Sequence, residues 1–375
     1  MQFMFFSMNG LYQSTLKGSD GCCEKGDSSG DLPRDYTRGQ GGETMDLQGW
    51  MQAGQANRKA RDFRAAADCF RRALDAQPDH LQALQGLADA CRGLKDFEGC
   101  LAAWDRYLAL CPQDGAVQAR VGDACRRTGR RDRAILHYEA ALRHDPRNRY
   151  ALMGLGDLYH RAHRPEEALA AWERLLELDP RLLNIRTMAG NLCRRKLDFE
   201  RAAHHFSTAL KLEPGNPYAL FGLADALRGL GRFEEAAPLW DEVVRTDAGN
   251  RQVLTRAGDC FCRLGQLAKA EDLFKRALAQ GYDRCAQFGL ARVQVSRGEY
   301  REALDRYEAV LDRNPEDPRA VLLKGQVLGE WRGREAALAY LEDQKARHPD
   351  MREIAGALSR MQAGGVANRT ERAAR

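Results

Sequence analysis

From Leu47 onward a period of 34 residues, once 33, governs the chain, and within each unit the fourth, seventh, eighth and eleventh places are mostly apolar or small. Leu152, Leu155, Gly156 and Tyr159 are one such set. Steps of three, one and three put them on a single helical face. A break carrying Gly or Asp follows, as in RGLKDF and RGLGRF. The second half of each stretch then has Ala at its twentieth place (Ala66, Ala134, Ala168, Ala202, Ala236, Ala270, Ala303, Ala337), with Cys100 as the exception. Four residues on comes a large side chain: Phe70, Trp104, Tyr138, Trp172, Phe206, Trp240, Phe274, Tyr307 or Leu341. Small at i and large at i+4 lie one above the other on a helix, so the ring fills the space the Ala leaves. Pro78, Pro112, Pro146, Pro180, Pro214, Pro315 and Pro349 close their stretches, where a helix cannot continue. The pattern predicts two antiparallel helices per stretch.

Nine units result: 47–80, 81–114, 115–148, 149–182, 183–216, 217–250, 251–283, 284–317 and 318–350, with only the step from Arg251 to Arg284 a residue short. A small eighth residue, Gly or Ala in most units, lets the second helix approach the first closely. A lone hairpin of this length cannot bury enough surface to stand, so each unit leans on the next. Each aromatic buried in such a stack removes roughly 150–250 Å² from water, worth about 4–6 kcal/mol as an upper bound. Beyond the ninth unit, Met351, Ile354, Leu358 and Met361 recur at helical spacing, which predicts a capping helix over 351–363 that covers the open end. Residues 364–375 read as a basic, loose tail. Residues 1–46, with stretches such as GDSSGD and RGQGGE, are too poor in apolar surface to order and are predicted disordered. Met45 stands just ahead of the first unit, and a native start at that residue is expected.

These residues resemble the tetratricopeptide repeat, whose pattern is Trp, Leu, Gly and Tyr on the first helix, then Ala, an aromatic, Ala and Pro on the second. The first unit carries Trp50, Gly54, Ala66, Phe70, Ala73 and Pro78; the fourth carries Leu155, Gly156, Tyr159, Ala168, Trp172 and Pro180. The resemblance implies an all-α, right-handed superhelical solenoid of nine helix pairs with a C-terminal cap. Two departures are local: Ala248 stands where the sixth unit's closing Pro belongs, and the seventh unit ends GYDR with one residue missing.

In that family the second, fifth, ninth and twelfth positions line a concave groove where members often bind extended peptides or helices. The ninth position here carries Asp89, Asp123, Asp157, Asn191, Asp225 and Asp259. Three residues further on come Arg92, Arg126, His160, Arg194 and Arg228, then Cys262. One reading is a solvated ladder of i,i+3 pairs, each worth about 0.2–0.5 kcal/mol on an exposed helix; the other is a row of ligand contacts. The second and fifth positions supply Tyr150 and Met153, Asn184 and Thr187, Tyr218 and Phe221, and Phe288. Large apolar groups there are not needed for stacking, and aromatic anchors are what interfaces use; the other reading is contact with the neighbouring unit's first helix. The expected partner-binding residues are therefore Tyr150, Met153, Asp157, Asn184, Asn191, Tyr218, Phe221, Asp225, Asp259 and Phe288. Apolar footholds with acidic or amide steps suit a protein segment carrying basic and apolar residues. No unit has Lys at its fifth position, and Arg120 and Arg256 alone do not rebuild the clamp with which some family members grip an acidic C-terminus.

Composition narrows the function further. A net charge of +5 over 375 residues is mild and too diffuse to argue for nucleic acid. Arginine and groove aromatics nonetheless leave a single-stranded nucleic-acid binder as the alternative, opposed by the repeated Asp. Eleven cysteines without a CxxC pair read as reduced thiols in a cytoplasmic protein, Cys91, Cys125 and Cys193 as packing residues. Cys260 and Cys262 diverge by about 200° around a helix and do not form a metal site. The opening MQFMFFSMNG is too short for a secretory signal, and no run reaches membrane-spanning length. Phosphate-loop, HExxH and GxSxG motifs are absent from the sequence, so neither catalysis nor a cofactor is expected. His160, His163, His204 and His205 lack a third ligand at suitable spacing, and no metal is expected on them.

Overall fold

The computed structural model describes residues 45–361. The predicted loose segments at either end, and with them the question of a start at Met45, lie outside the described residues except for 45 and 46.

Among the described residues the regular structure is helical throughout, with no strand. Helices α1 (Leu47–Lys59) and α2 (Phe63–Ala76) form the first pair, followed by α3 (Leu81–Gly93) with α4 (Phe97–Leu110) and α5 (Gly115–Arg127) with α6 (Arg131–His144). The middle pairs are α7 (Arg149–Arg161) with α8 (Pro165–Leu178), α9 (Leu183–Arg195) with α10 (Phe199–Leu212), and α11 (Pro217–Gly229) with α12 (Phe233–Thr246). The last are α13 (Arg251–Arg263) with α14 (Leu267–Ala279), α15 (Arg284–Ser296) with α16 (Tyr300–Leu311), and α17 (Pro318–Arg332) with α18 (Arg334–Arg347). A final helix, α19, spans 352–361. It sets Ile354 and Leu358 against Val321 of α17 and Leu341 of α18, so the last pair's apolar side is covered.

Local chemistry places the helix ends. Asp46, Asp114, Asn148, Asn216, Asn250, Asp283 and Asp317 precede the first helices of their units and accept hydrogen bonds from first-turn amides, satisfying donors that the helix itself cannot. Each first helix from α1 to α15 ends with one residue in the left-handed region: Arg61, Lys95, Gly129, His163, Leu197, Gly231, Gly265 and Gly298. The amide after it donates back five residues, as from Asp62 to the Asn57 carbonyl at 2.9 Å and from Asp198 to the Cys193 carbonyl at 3.0 Å. This turn closes the helix and reverses the chain into the second one.

Each helix packs on the next, and first helices also touch across units, as α9 does α11 and α13 does α15. The core is thus a row of side chains running along the chain, as expected of a stack. The large residue of every second helix is its centre: Phe70, Trp104, Tyr138, Trp172, Phe206, Trp240, Phe274, Tyr307 and Leu341 are all buried. Their surroundings alternate. Phe70, Tyr138, Phe206 and Phe274 each lie between two glycines, one from their own unit and one from the next, such as Gly190 and Gly222 around Phe206. A Cβ on Gly190 would stand 2.9 Å from that ring and one on Gly222 only 2.4 Å, well inside the contact distance of about 3.5–4.0 Å. At the place equivalent to Gly222, the units that follow Trp104, Trp172 and Trp240 carry Arg120, Met188 and Arg256. Arg120 lies over the Trp104 ring at 5.6 Å. The stack therefore repeats every second unit, a longer period than the 34-residue one.

Among the described residues no helix is long and apolar enough to cross a membrane.

Candidate ligand-binding face

At Asp89, Asp225 and Asp259 the ninth residue of a first helix meets arginines from neighbouring units. Asp225 on α11 shows the full arrangement. Its Oδ2 accepts from Nη1 of Arg194 on α9 at 2.7 Å and from Nη1 of Arg256 on α13, and its Oδ1 accepts from Arg228 on α11 at 2.9 and 3.1 Å. Three successive units thus meet on one carboxylate that is 2% exposed. Arg228 reaches onward to Asp259 at 3.3 Å, and Arg292 on α15 holds the other oxygen of Asp259 at 2.6 Å. Near the start of the stack, Arg58 at 2.9 Å and Arg92 and Arg120, both at 3.4 Å, converge on Asp89 in the same way. Asp123 pairs with Arg126 and Arg127 on its own helix, at 2.6 and 2.9 Å.

These contacts correct the expectation of acidic steps open to a ligand. Asp89, Asp157 and Asp225 are 9%, 5% and 2% exposed, too deep for a row of solvated surface pairs. The physical reason is packing: at Asp89 and Asp225 the short carboxylate lies low between adjacent first helices, and longer arginines reach over it from the units on both sides, while Asp123 and Asp259 keep 34% and 29% of their side chains exposed. Burial pushes the Asp225 carboxyl upward, but the charges and hydrogen bonds of Arg256 and Arg228 outweigh it and hold the group below the usual carboxylate range. Asp123 is held low in the same sense, burial being outweighed by its bonds from Arg127 and Arg126. The expectation of a partner carrying basic residues rested on open carboxylates, and at Asp89, Asp157 and Asp225 that basis is removed.

The remaining expected residues divide. Tyr150 and Tyr218 project outward, 73% and 60% exposed. Phe221 is half-buried, meets Trp240 edge-on at 5.5 Å, and lies between Arg194 and Arg256 at 5.8 and 5.6 Å. Met153 is half-buried against the core. Phe288, expected as a foothold, is instead buried beside Tyr307, with Arg284 and Arg319 over it at 5.9 and 5.1 Å; the arginines, being longer, take the surface. Asn191 joins the lattice through Arg194 at 3.4 Å. Asn184 is half-buried, its backbone carbonyl accepting from the Thr187 hydroxyl at 2.9 Å.

Sequence reasoning missed Arg58 and Arg292, and gave Arg120 and Arg256 no part beyond an incomplete clamp. A signal was present: the cross-unit pairs Arg58–Asp89, Asp89–Arg120, Arg194–Asp225, Asp225–Arg256 and Arg228–Asp259 are each 31 residues apart, one unit less one helical turn.

Other candidate chemistry resolves into packing. Burial pushes the thiols of Cys100 and Cys260 up to about 11, which keeps them protonated and unreactive at neutral pH. His160 lies against Trp172 at 5.4 Å, and buried His205 stands 3.6 Å from Glu173. Among the described residues no three His, Cys, Asp or Glu side chains group to hold a metal ion.

The repeating pair of helices, the wedged aromatic and the shared carboxylate define a helical-repeat protein. The tetratricopeptide-repeat model matches residues 51–115, 122–181, 187–250 and 223–283, and a second model of that name matches 263–327. The chain belongs to the tetratricopeptide repeat family. No curated protein matches its sequence significantly. Among solved structures it is similar to the C-terminal part of a TPR repeat-containing protein from Cytophaga hutchinsonii, at 16% identity over 64% of this chain and 99% of that one, with a TM-score of 0.49. It is also similar to YrrB, described as a TPR protein with an unusual peptide-binding site, at 22% identity over 51% and 98% of the two chains and a TM-score of 0.41. MamA from Desulfovibrio magneticus RS-1 is similar at 18% identity over 45% and 97%, with a TM-score of 0.43. None of these likenesses says what this chain binds.

Proposed function

We propose that the chain is a non-catalytic cytoplasmic scaffold that holds an extended or helical segment of another protein along the first-helix face, the concave side of a superhelix. The observation that carries this reading is the pair of tyrosines at the second position of alternate units. Tyr150 and Tyr218 leave most of their surface in water while the ring in every second helix does the stacking. Exposed aromatic side chains on a rigid element lose little conformational freedom on contact and make good anchors. Half-buried Met153 and Phe221, one helical turn along from them, extend each foothold inward.

The test is a double variant, Tyr150→Ala with Tyr218→Ala. Thermal melting stays within a degree or so, because little buried area is lost, and retention of the partner on an affinity matrix drops. Unchanged melting with undiminished partner retention refutes the reading.

A further inference from the structure

We propose that the segment bound on this face is acidic, with carboxylate side chains spread among apolar ones along its length. This rests on the groove reading above and specifies its partner. The charge of the face decides it. Around Asp225 and Asp259 stand four guanidiniums, Arg194, Arg228, Arg256 and Arg292, a surplus of two positive charges. Around Asp89 stand three, Arg58, Arg92 and Arg120, again a surplus of two. Depth sharpens the sign: the side chains of Asp225 and Asp89 are 2% and 9% exposed, whereas the arginines on them range from 18% to 62%. A ligand meets guanidinium first.

Each arginine retains donors to offer. A guanidinium has five N–H groups in a planar fork, and Arg256 directs Nη1 to Asp225. An incoming carboxylate takes two donors of such a fork at once, the strongest pairing open to it. The buried aspartates fix the forks in place before binding, so little side-chain freedom is lost on contact. Phe221, flanked by Arg194 and Arg256, puts an apolar contact between two cations, which matches an apolar side chain between two acidic ones. Because the arginines come from successive units and not from one clamp, side-chain carboxylates along a segment fit better than a single chain terminus.

A basic segment meets like charge here. A nucleic acid strand is over-charged for the face: from α9 to α15 is three unit steps, about 30 Å at helix-packing distances, over which a strand at about 3.4 Å per nucleotide brings on the order of ten phosphates to a surplus of two.

The test uses the full chain and fluorescence anisotropy with three pools of peptides of about 15 residues, each with Leu, Phe and Tyr at alternate places. The intervening places carry Asp and Glu, Lys and Arg, or Ser and Asn; oligouridylate is a fourth probe. The acidic pool binds best, and its affinity falls between about 50 and 200 mM salt with a shallow slope. Arg256→Gln and Arg120→Gln each weaken it by about tenfold. Should either variant melt early, Arg92→Gln on the exposed rim gives the same readout without touching a buried pair across units. Tyr218→Ala separates the two levels of the argument. If the basic or neutral pool binds best and Tyr218→Ala abolishes it, the groove stands and the acidic assignment falls. If the acidic pool binds and Tyr218→Ala changes nothing, the groove reading itself falls. Tighter binding of oligouridylate with a steep salt slope, or no binding by the acidic pool, also overturns the proposal.

Discussion

Asp225→Ala removes a carboxylate and leaves three guanidiniums facing one another. Arg194, Arg228 and Arg256 belong to successive units, and their side chains are 18%, 26% and 26% exposed, so water replaces the lost anion only in part. Removing one partner of a buried ion pair costs about 3–5 kcal/mol; the partial access of water to the arginines puts this variant near about 3 kcal/mol. Asp259 provides the internal comparison. It is 29% exposed and paired with Arg228 and Arg292, and Asp259→Ala costs only about 1–2 kcal/mol. Urea melts followed by circular dichroism give the difference in midpoint. Because a repeat stack need not unfold in one step, hydrogen exchange supplies the local reading. Protection falls in α9, α11 and α13 together, since all three give residues to the site, and stays in α1 to α4. A loss under about 1 kcal/mol, or a loss of protection confined to α11, refutes the claim that this carboxylate joins three units.

Three further outcomes follow from the same structure. Trp172→Ala empties a fully buried site and costs about 3–5 kcal/mol, shared with the neighbouring pairs; a urea melt showing under about 1 kcal/mol rejects the wedge. Leu197 is exposed and left-handed, with φ at 63°, where Gly129, Gly231, Gly265 and Gly298 serve elsewhere, so Leu197→Gly stabilises by about 0.5–1 kcal/mol in the same assay, and a destabilised variant contradicts the turn geometry. For pH, burial lowers His137 and His160, aided by Arg133 and Arg195 respectively, and lowers His205 against the pull of Glu173. The unfolded chain takes up these protons at about pH 6.5 and the folded one only further down, so stability is complete above that value and is lost as pH falls below it. Scanning calorimetry between pH 7.5 and 5 shows a falling midpoint that flattens when the three are replaced by Gln; a midpoint that rises on acidification is the wrong sign.

How much of this could be read beforehand depends on whether a feature is local. The wedge was legible because Ala168 and Trp172 sit one turn apart on one helix, and the closing Pro180 stops that helix whatever its neighbours do. Helix starts are just as local, set by caps such as Asn148 and Asn216, although the apolar spacing alone did not point to them. The depth of Asp225 was not legible, since it depends on Arg194 and Arg256 arriving from other units, and helical periodicity within one unit cannot separate a solvated i,i+3 pair from a shared buried one. Phe288 failed similarly: its fifth position resembles that of Phe221, but Arg284 and Arg319 close over it. The alternation of Phe206 between glycines with Trp240 against a unit that carries Arg256 depends on which backbones meet a ring across two units, and no single unit's spacing encodes that.

The account depends on the repeated carboxylate being an internal tie between units, with arginine as the surface. The direct measurement is the carboxyl titration of Asp225 by carbon-13 NMR on chain labelled at aspartate, assigned by comparison with Asp225→Asn. The account predicts that this resonance stays ionised through the ordinary aspartate range near pH 3.9 and changes only further down or with unfolding. A carboxyl that titrates near the ordinary value in the folded chain would show an aspartate open to water, and would contradict it.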